Sequence, residues 1–128
     1  MNLALWLERH ARTDPDRTAV YLGAAPWKST TGLAADAASL AGGLRGKLGL
    51  EAGERVALVM TNAPEYPEIL LGTWWAGLAA VPVNAKLHPR EAEWIVSNAQ
   101  VRWGFVSRDV APDALAGLER QIDIESAL

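Results

Sequence analysis

The sequence predicts an α/β fold with a mainly parallel sheet flanked by helices. Three observations predict it. Arg55–Met60, Ala79–Val83 and Val101–Val106 are short strand-like runs, largely apolar from end to end. Stretches that open near prolines, at Pro64 and Pro89, separate them with helical patterns. Strand, helix, strand, helix, strand is the order of βαβ units, and continuous apolar strands suit a sheet covered on both faces. Right-handed crossovers then place the helices.

Ahead of this pattern, Leu3, Trp6, Leu7 and His10 recur at helical spacing. Asn2 can cap that helix, and Asp14-Pro15 closes it. Thr18–Gly23 reads as a strand, Ala24–Pro26 as a turn and Trp27–Thr30 as the returning arm of a hairpin. Thr31 is the expected cap of a second helix, whose apolar stripe is Leu33, Ala37, Leu40 and Leu44 and whose end is marked by Gly46 and Gly49. Asn62–Glu65 starts the next helix, with Pro64 near its first position, and it runs to about Gly77. Pro89 opens another, ending near Asn98. Pro82 sits awkwardly inside a strand and points to an edge, a bulge or a strand start. Beyond Ser107 the pattern weakens to a short helix over Pro112–Leu118 and a short strand over Gln121–Ile124. The sheet then lacks an obvious finish, which is the expectation for one lobe of a larger domain.

Composition excludes several function classes. With 128 residues the chain is the size of one domain, half hydrophobic and 21% charged, so it is globular. A net charge of −3 supplies no basic surface for nucleic acid. The absence of cysteine removes disulfides and thiolate metal sites, and two distant histidines have no ligand spacing, so no metal site is expected. No leader pattern or membrane-length apolar run is visible, and a cytoplasmic location is the expectation. Most of the six tryptophans are expected to fill the core or an interface.

Gly42–Lys47 fails as a phosphate loop, because Leu48 follows the lysine and the segment follows a helix instead of a strand; it reads as a helix end. Glu65 and Glu68 share a helix face and read as a solvated first turn, with no partner visible for acid–base work. His10 reads as a packing residue on an apolar stripe, and His88 as a capping or solvent-facing residue. Neither Ser39 nor Ser107 has the setting of a hydrolase nucleophile. The loops at the carboxyl ends of the parallel strands are where such a sheet binds ligands: Thr61-Asn62, Asn84–His88 and Ser107-Arg108. The middle one combines an amide, a cation and an imidazole, and is either a binding loop or an ordinary polar connection.

Several segments resemble AMP-forming acyl-CoA synthetases. Ala11–Val20 resembles the opening of that family, with Pro15-Asp16 followed by Ala19-Val20. Leu40–Leu44, Leu48–Leu50, Gly53 and Arg55–Leu58 resemble its helix–turn–strand block, and Asn62–Tyr66 its "N-x-PE" helix start. Ala76–Asn84 is similar to its "AGAVAVPLN" strand, and Leu87–Glu91 to the "L-x-P-x-E" that follows. The matches are in order and cover about residues 1–107. Thr30-Thr31 departs from the family's usual Thr-Tyr pair, which touches packing more than activity.

The resemblance implies that residues 1–128 form the N-terminal lobe of an adenylate-forming domain. The parent activity it implies joins a carboxylic acid, fatty or aryl, to coenzyme A through an acyl-adenylate, using ATP and Mg²⁺. The family's phosphate loop and C-terminal domain have no counterpart in this sequence. No catalytic residue is therefore carried over, and the chain alone is expected to be inactive. Lys86 occupies the position of a basic residue implicated at the coenzyme A nucleotide. A homodimer through the open sheet edge fits the same reading. Two other readings stay open: a lobe of a peptide-synthetase or luciferase-like adenylating enzyme, and a free-standing α/β binding or interaction module without catalysis.

Overall fold

A computed structural model describes residues 1–110, 115 and 117–123. The chain packs as two units, Met1–Ala52 with Pro64–Gly77 and Gly53–Ala63 with Leu78–Leu128.

The first unit begins with helix α1, Ala4–Thr13, whose first amide at Ala4 donates to the Asn2 side chain at 2.9 Å. The other end of the Asn2 amide donates to the Trp74 carbonyl at 2.5 Å, so the helix start is tied to a distant element. Strands β1, Thr18–Leu22, and β2, Ala25–Ser29, pair antiparallel across a turn at Gly23-Ala24. Helix α2, Thr30–Gly42, follows without a loop and continues into a π-helical turn over Gly43–Lys47. Gly49 ends this run at φ 72°, a left-handed conformation that glycine adopts without steric cost. Helix α3, Tyr66–Trp75, completes the unit. Its core is Leu7, Leu33, Ala34 and Ala37, with Val20, Leu71 and Trp75 packed against them.

Two helix starts differ from the sequence expectation. Ser29, not Thr31, caps α2: its hydroxyl accepts from the Gly32 amide at 3.1 Å. Thr31 lies inside the helix and donates its hydroxyl to the Pro15 carbonyl, as Thr30 donates to Asp14 and Pro15. Both threonines thus hold the loop after α1. Helix α3 starts later than Pro64 suggests, with Pro67 as its opening proline and Glu65 at the cap position. Either proline satisfies the same local rule.

The second unit is a four-stranded parallel sheet in the order β4-β3-β5-β6. Its strands are β3, Arg55–Met60, β4, Ala79–Asn84, β5, Trp103–Val106, and β6, Arg120–Asp123. The sequence reading located the first three and set the fourth one residue later. The expected helix over Pro112–Leu118 falls mostly outside the described residues. Helix α4, Pro89–Asn98, has the bounds the sequence suggested. Its Ala92 and Val96 pack with Ala57, Val59, Val83, Leu115 and Leu118. β3 and β5 are central and buried along nearly their whole length, whereas β4 is an edge strand with exposed positions. That resolves Pro82, which pairs in register with Leu58 on a strand having one free side.

Trp103 is buried and Trp27, Trp74 and Trp75 are half-buried, as expected for most of the tryptophans, whereas Trp6 and Trp94 are 56% and 66% exposed. Among the described residues no helix is long and apolar enough to cross a membrane.

Candidate functional site

Within the second unit, the carboxyl ends of β3, β4 and β5 carry the three loops singled out from sequence. Ser107 and Thr61 are brought together there. The Thr61 amide donates to the Ser107 hydroxyl at 3.1 Å, and the Ser107 amide donates to the Val59 carbonyl at 3.1 Å. The Thr61 hydroxyl donates to Asp109 at 3.3 Å. Hydrogen bonding from Ser107 holds the Asp109 carboxyl below its usual range, helped by its own backbone amide and Thr61 against a smaller desolvation effect. Ser107 is buried and serves as a bridge between two strand ends.

The middle loop divides its three polar groups by task. The Asn84 side chain accepts from the Lys86 amide at 2.9 Å, and the Asn84 carbonyl accepts from Leu87 at 3.1 Å, which turns the chain sharply after β4. His88 caps α4: its Nδ1 accepts from the Arg90 amide at 3.2 Å. Glu91 reaches back to accept from the His88 amide at 3.1 Å, closing a capping box. The amide and the imidazole therefore shape the backbone. The Lys86 ammonium is left exposed on a loop whose backbone is fixed. An exposed cation on a fixed turn suits an anionic group such as a phosphate. Among the described residues, no group of three or more His, Asp or Glu is placed to hold a metal ion.

In the first unit, His10 is exposed, which corrects the packing role expected of it. It lines an open cleft of about 670 Å³ with Trp6, Leu7, Asp14, Arg17 and Ala19. The helical spacing that suggested burial is satisfied at Ala4 and Leu7 instead.

The larger correction concerns Glu68. It is not a solvated first-turn residue; it is 0% exposed. Lys28 of β2 donates to it and to Asp36 of α2, and the Lys28 ammonium also lies 4.3 Å from the Trp27 ring centre. Burial pushes the Glu68 carboxyl up, against the opposing pull of Lys28. For Lys28, burial alone would lower the ammonium, but its hydrogen bonds to Asp36 and Glu68 and their charges leave it raised. The one sequence signal was the flanking pattern Ile69-Leu70-Leu71, which left little polar surface around Glu68.

The family model described as AMP-binding enzyme matches residues 7–127. A crotonobetaine/carnitine–CoA ligase of Salmonella paratyphi B is 43% identical over 54 residues, covering 42% of this chain and 10% of that protein. The N-terminal subdomain of Klebsiella oxytoca NpsA, solved in complex with 3-hydroxybenzoyl-AMSN, overlays 98% of this chain and 31% of its own with a TM-score of 0.83 at 23% identity. A benzoate CoA ligase from Burkholderia xenovorans LB400 overlays 86% of this chain and 22% of its own, with a TM-score of 0.78 at 27% identity. This chain thus spans a minor part of each relative's length.

Proposed function

Since the chain belongs to the family of AMP-binding enzymes, we propose that it forms part of an ATP-dependent ligase joining a carboxylic acid to coenzyme A. The observation that carries this reading is the family match across residues 7–127. The naming of a partial relative and of a structural neighbour as CoA ligases supports coenzyme A as the acceptor. A fatty or aryl acid is the proposed substrate class, and the benzoate ligase supports its aryl half.

In the proposed reaction a carboxylate oxygen attacks the α-phosphorus of ATP and pyrophosphate leaves. The coenzyme A thiolate then attacks the acyl carbon and AMP leaves. The first step converts a poor leaving group into a good one. Mg²⁺ would supply charge neutralisation on the phosphates. None of the described residues is assigned a bond-making role. The chain's part is to scaffold, and by itself it is proposed to be inactive.

Lys86 is proposed to pair with a phosphate of the coenzyme A nucleotide. What supports this is its exposed ammonium on the Asn84-braced turn. The test is acyl-CoA formation by the chain together with the coding sequence that follows it, in wild-type and Lys86→Ala forms. The expected result is acid- and ATP-dependent thioester, with the variant's KM for coenzyme A raised several-fold and its KM for ATP unchanged. Absence of thioester in the longer chain would overturn the ligase reading. An unchanged KM for coenzyme A in an active variant would remove Lys86 alone.

A further inference from the structure

Lys28, Asp36 and Glu68 place two carboxylates around one ammonium. The two acids are not equivalent. Asp36 is 43% exposed in its side chain, so water solvates its charge. Glu68 has no solvent exposure. One of its oxygens, Oε1, accepts from Lys28, while Oε2 is buried without a hydrogen-bond partner among the described residues. A buried, ionised carboxylate with a bare oxygen is expensive, and neutralisation is the usual escape. Lys28 is already shared with Asp36 and with the Trp27 ring, so it cannot compensate both acids.

The three groups also sit on three elements. Lys28 comes from β2, Asp36 from α2 and Glu68 from α3. Among the described residues, Lys28 and Asp36 are the charged groups that act on Glu68. The cluster therefore fastens the β1–β2 hairpin to the helix pair.

We propose that Glu68 is the proton-binding element of a pH-sensitive latch on the β1–β2 hairpin. As a neutral acid it lets Lys28 pair with Asp36 while β2 stays docked. As a carboxylate it adds a second, buried negative charge that the one ammonium, shared with Asp36, offsets only in part, and the hairpin loosens.

Burial raises the Glu68 carboxyl above its ordinary value of 4.5, so the folded unit binds the proton more tightly than the unfolded chain. The stability that the proton contributes is complete below that value and is lost as pH rises toward Glu68's own midpoint. In that window hairpin opening increases by up to about tenfold for each pH unit.

Two readouts on the 128-residue chain test this. The first is carbon-13 NMR of side-chain-labelled glutamate across pH, in wild type and Glu68→Gln. One carboxyl resonance is expected to titrate above all the others and to vanish in the variant. The second is amide exchange of the hairpin, taken as the ratio of wild type to Glu68→Gln at each pH so that base catalysis cancels. The ratio is expected to rise with pH for β1 and β2 and to stay flat for the β3–β5 sheet. The amide variant is an uncharged isostere and should fold, so both readouts remain available. Glutamates that all titrate together, or a hairpin ratio independent of pH, would overturn the latch.

Discussion

The Lys28 ammonium donates to Glu68, a carboxylate with no exposure to solvent. The two residues are forty positions apart and lie on different elements, and each acts on the other's charge. Removing the two partners should therefore have unequal effects. Lys28→Met strands a buried acid and is expected to cost about 3 kcal/mol, the range for breaking a buried pair from one side. Glu68→Gln keeps the shape and removes the charge, and should stay within about 1 kcal/mol of wild type at neutral pH. Urea unfolding at constant m-value checks the ordering; equal losses would contradict it.

Gly72 and Gly104 make a second contrast. A Cβ at Gly72 would meet the Ala37 carbonyl at 3.0 Å and Leu40 Cβ at 3.1 Å, groups fixed by helix α2. At Gly104 the worst contact is Leu118 Cδ1 at 2.7 Å, the movable end of a leucine. Alanine gains about 0.5–1 kcal/mol of chain entropy at either site. Overpacking against rigid atoms costs about 1–3 kcal/mol and wins at Gly72. Gly72→Ala is expected to lower the thermal midpoint clearly, and Gly104→Ala to lower it less or not at all.

The capping box on α4 predicts local damage without loss of fold. His88→Ala leaves the Arg90 amide without its side-chain acceptor and should cost about 1 kcal/mol. His88→Asn, a good cap, should recover most of that. Amide exchange in the first turn of α4 reports the effect directly, and identical protection in all three proteins would exclude the cap.

Asp109 gives the sheet unit an acid-sensitive contact. Its carboxyl is held below the ordinary value of 3.8, first by Ser107. A depressed acid contributes stability above its unfolded value, and that contribution is lost as pH falls through the folded one. Ser107→Ala should move the Asp109 titration back up toward 3.8 and remove the acceptor of the Thr61 amide. Side-chain NMR of aspartate carboxyls at low pH checks the shift; no movement of the Asp109 resonance would contradict it.

What was legible in the sequence follows the range of each interaction. β3 and α4 were readable to the residue, because an unbroken apolar run and a proline-opened helix with a Glu at its third position are local signals. The choice of Ser29 over Thr31 was not, since several hydroxyls stand at the junction and the tertiary contacts of Thr30 and Thr31 with Pro15 decide it. Glu68 was misread for the same reason: a glutamate in a first helical turn is normally solvated, and only the distant Lys28 makes burial tolerable. The exposure of Trp6 and Trp94 was equally hidden, because helical spacing identifies a stripe and not what covers it. At the strand ends the sequence grouped the right loops, but only coordinates separate Asn84 and His88, which shape the backbone, from Lys86, which faces solvent.

We propose that this chain scaffolds an acyl-adenylating ligase without performing the chemistry itself. ATP–pyrophosphate exchange with a panel of fatty and aryl acids tests it most directly, run on the 128-residue chain and on the chain together with the coding sequence that follows it. Acid-dependent exchange is expected in the longer chain alone. Exchange in the 128-residue chain would contradict the scaffolding role, and none in either, with both folded, would contradict the ligase reading.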